Sequence, residues 1–230
     1  VSFALVMPAA GSGIRLGADL PKALIEISGK PLFVHAALPF LQFESCAEAV
    51  MAVPQSEIER FRQEAEKHLG AGRVRVVGGG KTRQDSVFNA LRSLNAKVDA
   101  VLIHDAARPM IQRNLIQRVR DALTGDTAAV VPGLPVADTL KRVQESDSTI
   151  LNTVERCGLM AVQTPQAIRF DTAFESHTLA AQAGFQGTDD VSLIEHFHLG
   201  RIRYVTGDVR NFKITTSDDL TLAREILRHA

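Results

Sequence analysis

Apolar runs alternate with apolar positions at helical spacing along most of the chain. Residues 3–7 form a continuous apolar run, which predicts a buried strand. Gly29-Lys30-Pro31 then opens a helical pattern on Leu32, His35, Ala36 and Pro39. Residues 47–53 are apolar except Glu48 up to Pro54, a second strand, and Ser56 is placed to cap a helix over 57–69. A strand over 73–77 and a helix capped by Thr82 or Asp85 follow, the helix carrying Val87, Ala90, Leu91 and Leu94. Residues 100–103 predict the next strand, Ile116, Val119, Ala122 and Leu123 the next helix, and 128–131 a strand ending at Pro132.

Strand and helix in regular alternation imply right-handed crossovers. The fold class this predicts is α/β, a Rossmann-like, mainly parallel sheet with helices on both faces. Residues 136–155 break the pattern. Two short strands, 139–143 and 149–154, flank Glu145-Ser146-Asp147-Ser148, a hairpin with little to bury. Such a hairpin is marginal alone, which predicts a protruding β-hairpin arm that packs on the domain or on a second subunit. Beyond it the pattern predicts a buried strand at 159–163, a helix at 170–183, and a capping turn at Gly187-Thr188-Asp189-Asp190 into a helix ending at Phe197. A strand at 201–205, a short extended piece at 211–215 and a last helix capped by Ser217 complete it.

Length and charge narrow the function classes. The 230 residues predict one globular domain over 1–230, and 26 basic against 26 acidic residues give no overall pull toward nucleic acid or an anionic membrane. Any anion must be bound locally. Cys46 and Cys157 lack the spacing of a zinc site or a disulfide framework, which fits a reducing cytoplasm. With no signal peptide pattern and no apolar stretch of bilayer length, the expected location is cytoplasmic.

Three predicted strands empty into polar clusters, and in such sheets ligands collect at the carboxyl ends of the strands. The first cluster runs from Pro8 through Ala9, Ala10, Gly11, Gly13, Arg15 and Gly17 to Pro21-Lys22. Small residues there let backbone N–H groups approach a phosphate, and two cations stand beside them. A P-loop fails because Ala18 follows Gly17. A dinucleotide fingerprint wants a helix directly after the glycines and an acidic end to the second strand, whereas Pro21 interrupts the first and Val53-Pro54-Gln55 lacks the second. The remaining reading is the nucleotidyltransferase signature, Ala-Ala-Gly-x-Gly-x-Arg followed by Pro-Lys.

The other motifs extend that match to the end of the chain. Gly79-Gly80 with Arg83 and Ser86, His104-Asp105-Ala106-Ala107-Arg108-Pro109, Pro135-Val136-Ala137-Asp138-Thr139 with Lys141, Thr164-Pro165-Gln166, Thr188-Asp189-Asp190 and Asn211-Phe212-Lys213-Ile214-Thr215 occur in order. Together they resemble the 2-C-methyl-D-erythritol 4-phosphate cytidylyltransferase family of the non-mevalonate isoprenoid pathway. The resemblance implies attack of the methylerythritol phosphate on the α-phosphorus of CTP, with release of pyrophosphate. It implies Arg15 and Lys22 as transition-state stabilisers, Arg156 and Lys213 as catalytic residues that position the acceptor phosphate, and Arg108, Thr164 and Thr188 as further acceptor contacts. Ala9, Ala10, Gly11, Gly13, Gly80, Ser86 and Asp105 would hold the nucleotide, with Asp105 beside Mg²⁺. A homodimer is implied as well, the arm at 136–155 carrying Arg156 into the neighbouring site. A pentitol phosphate such as ribitol 5-phosphate is the alternative acceptor, and a non-catalytic nucleotide-binding module the alternative from another class.

Overall fold

The structure is a computed structural model and describes residues 1–11 and 20–228. The chain enters through β1 (Phe3–Pro8), followed after the 3-10 turn Lys22–Leu24 by the short pair β2 (Glu26–Ile27) and β3 (Lys30–Pro31). Next come α1 (Leu32–Leu41), β4 (Cys46–Val53), α2 (Ile58–Leu69), β5 (Arg75–Gly78), α3 (Arg83–Ser93), β6 (Ala100–Ile103), α4 (Arg113–Asp121) and β7 (Thr127–Pro135). The hairpin β8 (Leu140–Gln144) and β9 (Thr149–Val154) precedes β10 (Met160–Val162), β11 (Gln166–Arg169), α5 (Phe170–Ala183), α6 (Asp190–Phe197), β12 (Arg201–Thr206) and α7 (Ser217–Arg228).

The main sheet runs β10-β7-β11-β6-β1-β4-β5, with β12 on the other side of β7. Pairings β1–β4, β1–β6, β4–β5 and β7–β12 are parallel, while β10 and β11 pair antiparallel to their neighbours. Side chains alternate across β1 as strand geometry requires. Phe3, Leu5 and Met7 join a core with Phe33, Val34 and Phe40 of α1, Phe61 of α2 and Leu115 of α4. Ala4 and Val6 face the opposite core with Val87, Ala90 and Leu91 of α3, Ala173 of α5 and Ile194 of α6. Helices therefore cover both faces, as the alternation predicted. None of the described helices is long and apolar enough to cross a membrane.

Several local expectations are corrected. The strand expected to stop at Pro132 continues to Pro135. The Pro132 carbonyl accepts from Gln163 N at 2.7 Å, and a residue's N–H and C=O share one edge of a strand. The missing N–H therefore falls in the gap between the β11 and β10 ladders, where no donor is required. The piece expected as a buried strand at 159–163 is β10, whose Ala161 and Val162 are exposed. α1 passes through Pro39, because Phe33, Val34, Ala37 and Phe40 bury its other side. Ser56 lies inside a 3-10 turn and makes no cap. At the last helix the cap is Thr216, whose hydroxyl accepts from Asp219 N, and Ser217 is the first helical residue. Asp219 in return accepts from the Thr215 hydroxyl and from Thr215 and Thr216 N–H, which holds its carboxyl at about 2.

The arm is a separate two-stranded sheet. Its apolar residues Val143, Ile150 and Leu151 are 49%, 61% and 54% exposed, so the hairpin leaves apolar surface uncovered in a single chain.

Candidate active site

The carboxyl ends of β1, β5 and β6 open into one cavity of about 790 Å³. Ala9, Ala10, Gly11, Lys22, Gly80, Ser86, Asp105 and Lys213 line it, so three polar clusters far apart in sequence meet as predicted. Gly13 and Arg15 lie outside the described residues. Arg108, Arg156, Thr164 and Thr188 are not among the walls. Lys81, Thr82, Arg83 and Thr215 are further walls, none of them among the expected binding or catalytic residues.

The glycine loop after β5 is pressed against the start of α3. A Cβ on Gly80 would stand 2.2 Å from Asp85 Cβ, and one on Gly79 would stand 2.9 Å from Ser86 Oγ. Thr82 caps α3 by accepting from Asp85 N, and Asp85 accepts from Thr82 N, a reciprocal box at 3.0 Å each way. Ser86 Oγ donates to Thr82 O at 2.8 Å and accepts from Gly80 N at 3.1 Å. Its hydroxyl shapes the loop, leaving one lone pair for a ligand. Among the described residues, a Cβ on Gly11 would meet nothing within 4 Å.

Asp105 is the electrostatic hub. Oδ1 accepts from Arg83 Nε at 3.1 Å, Lys213 Nζ lies 2.9 Å from Oδ2, and Arg108 Nε lies 3.8 Å from the same oxygen. Burial alone would push the carboxyl up, but Arg83, Lys213 and Arg108 together hold it well below the usual carboxylate range. Arg83 also reaches Asp190 Oδ2 at 2.7 Å. Burial works against its charge, and the two aspartates more than offset that, raising its pKa. A cation in the first turn of a helix opposes the macrodipole, a weak local hint that Arg83 gains from an anionic partner.

Behind the hub, His104 is fully buried and its ring packs against Phe40. Nε2 lies 3.2 Å from the Arg108 carbonyl, which can only accept, so Nε2 carries the proton. Nδ1 then accepts from the Thr164 hydroxyl at 3.0 Å, and Thr164 Oγ1 accepts from Asp105 N at 3.1 Å. The Thr164 hydroxyl proton is thus committed to His104, and the residue braces the loop that carries Asp105. Burial pushes the His104 imidazole down to about 4 from an ordinary 6.5. Its folded pKa is depressed, so the stability it confers is complete above about pH 6.5 and is lost as pH falls through about 4. His104→Gln is expected to flatten that part of the acid limb, worth about 3 kcal/mol, in urea titrations across the window.

Lys213 is delivered by an extended segment that is stitched down on both sides. Asn211 Nδ2 donates to Thr164 O at 2.7 Å, and Ile214 N donates to Ala107 O at 2.9 Å. Ile214 is fully buried with Ile27, Leu32, Met110 and Ala223. Arg108 Nη1 donates to Asn211 O at 2.8 Å, so Arg108 supports the hub from behind. Arg156 is exposed at the base of the arm, where its guanidinium donates to the Ala137 carbonyl. Thr188 is exposed on the loop before α6.

Among the described residues no three His, Cys, Asp or Glu side chains cluster as a metal site. Asp105 offers one hard carboxylate already engaged by Arg83 and Lys213. Mg²⁺ at this place would be held mainly by a ligand's own phosphates and water, with Asp105 the carboxylate that would stand nearest among the lining residues.

A sheet covered on both faces, with a glycine-lined and cation-rimmed cavity at its strand ends, defines a nucleotidyltransferase-type α/β protein. The chain belongs to the 2-C-methyl-D-erythritol 4-phosphate cytidylyltransferase family, whose model it matches over residues 3–229. The protein of that name from Bacillus pumilus is 39% identical over 225 residues, covering 98% of this chain and 96% of that protein. The one from Geotalea uraniireducens is 39% identical over 227 residues, covering 97% and 95%. Among solved structures, the Thermus thermophilus enzyme of the same name superposes with a TM-score of 0.78 at 33% identity, covering 99% of this chain and 100% of the other. The 4-diphosphocytidyl-2C-methyl-D-erythritol synthase from Anaerococcus prevotii reaches a TM-score of 0.84 at 27% identity, covering 99% and 96%.

Proposed function

We infer that the cavity transfers the cytidylyl group of CTP to 2-C-methyl-D-erythritol 4-phosphate, giving 4-diphosphocytidyl-2-C-methyl-D-erythritol and pyrophosphate. One observation carries the reading. Lys22, Lys213 and Arg83 line a cavity walled by Gly11 and Gly80, which suits the phosphates of a nucleotide. An oxygen of the acceptor phosphate attacks the α-phosphorus of CTP, the new P–O bond forms, and the bond to the β-phosphate breaks as pyrophosphate leaves. The nucleophile is anionic at neutral pH, so catalysis is positioning and charge stabilisation.

In this reading Ala9, Ala10, Gly11, Gly13, Gly80 and Ser86 hold the cytidine end, and Arg15 and Lys22 stabilise the transition state. Lys213 leaves Asp105 for phosphate as substrate arrives, while Thr188 contacts the acceptor and Arg108 and Thr164 hold its side of the site in place. Mg²⁺, when bound, neutralises phosphate charge beside Asp105. The protein acts as a homodimer in which Val143, Ile150 and Leu151 of the arm are covered and Arg156 reaches the partner's site. Support for this comes from the exposed apolar residues on the arm and from the absence of Arg156 from the described walls of its own cavity.

Mixing two inactive variants tests the shared site. Lys22→Ala and Arg156→Ala chains, allowed to exchange subunits, are expected to recover about a quarter of wild-type pyrophosphate release, because half the dimers then hold one intact site. No recovery despite demonstrated exchange would contradict it.

A further inference from the structure

The two halves of the site are held in register by consecutive residues at the start of α3. Arg83 and Gln84 both reach away from the nucleotide loop to the segment 185–190, which carries Thr188. Gln84 Nε2 donates to Phe185 O at 2.9 Å, and Gln84 Oε1 accepts from Gly187 N at 2.9 Å. Arg83 spans Asp105 and the buried Asp190, as described. From the opposite side Gln166 of β11 donates to Asp189 and accepts from Asp190 N and Val191 N. The segment is therefore fixed at both ends of its turn. Gln84 is also followed directly by Asp85, the residue against which Gly80 is packed.

We propose that Gln84 is a positioning residue for the acceptor substrate. It holds the Thr188 loop at a fixed offset from the glycine loop without lining the nucleotide cavity itself. The carboxamide suits this task because it satisfies one backbone donor and one backbone acceptor at once, which neither a carboxylate nor an amine can do. This role rests on the reading of Thr188 as an acceptor contact, so Thr188→Ala is measured in parallel.

The test is steady-state kinetics of Gln84→Ala and Gln84→Glu with CTP and methylerythritol phosphate varied separately. Gln84→Ala is expected to raise KM for the acceptor about tenfold while KM for CTP stays within about twofold. Gln84→Glu keeps the acceptor for Gly187 N but loses the donor to Phe185 O, and is expected to fall between wild type and Gln84→Ala. Amide exchange at Gly187 should rise in Gln84→Ala, marking a local loosening that a CTP-competent fold survives. An unchanged acceptor KM, or equal rises for both substrates, overturns the proposal. An unchanged acceptor KM in Thr188→Ala beside a raised one in Gln84→Ala removes Thr188 from the site and leaves the positioning role standing. The reverse pattern removes the positioning role alone.

Discussion

Replacing Lys22 by alanine should lower turnover by a factor of about 10² to 10³, equivalent to about 2.7–4 kcal/mol of transition-state stabilisation, while CTP still binds. The structural reason is preorganisation. Lys22 opens a 3-10 turn that follows Pro21, and Ala23 and Leu24 of that turn are 4% and 5% exposed. The backbone that carries Lys22 is thus clamped into the core, and its side chain lines the cavity from a fixed anchor. A charge carried on such an anchor and assigned to the transition state should on its loss lower kcat more than binding. Lys22→Arg should recover little, because a planar guanidinium cannot occupy the position of a compact ammonium at the same backbone anchor. Single-turnover measurements with saturating CTP check this, and near-normal turnover in Lys22→Ala would remove the residue from its assigned role.

The second large effect is expected at Asp105. Its carboxylate neutralises Arg83 and Lys213 directly and has Arg108 nearby, with Asp190 as the only other carboxylate paired to this set among the described residues. Asp105→Asn removes that charge and leaves partly buried cations facing one another. Breaking a buried pair by removing one partner typically costs about 3–5 kcal/mol, and urea unfolding should show a loss of that order. Inorganic pyrophosphate should then raise the midpoint of the variant more than that of the wild type, because an anion replaces the missing charge. A loss below about 1 kcal/mol would mean that solvent already screens the cluster.

Much of this architecture was legible because strand ends are marked by a change from apolar residues to proline, glycine or polar residues. The runs before Pro8, Gly78 and His104 end that way, and all three tails meet in one cavity. β11 was not legible. Its four residues Gln166–Arg169 begin and end polar, and burial on both faces of a central strand leaves no alternation to read. Arg83 stood in a recognised motif, yet its function depends on Asp105 and Asp190, contacts that only the fold creates. The commitment of the Thr164 hydroxyl to His104 is of the same kind, a hydrogen bond across 60 residues of chain. The arm was legible as a surplus, a hairpin with exposed apolar residues and nothing of its own to cover them, whereas Arg156 came only from the family resemblance.

The most direct measurement is pyrophosphate release by the purified chain with CTP, Mg²⁺ and one acceptor at a time, with the nucleotide product identified by mass. Release with 2-C-methyl-D-erythritol 4-phosphate, much faster than with ribitol 5-phosphate, and a cytidine diphosphate ester of the methyl tetritol as product are the expected results. CTP binding without release on either acceptor, or preferential use of ribitol 5-phosphate, would contradict the account.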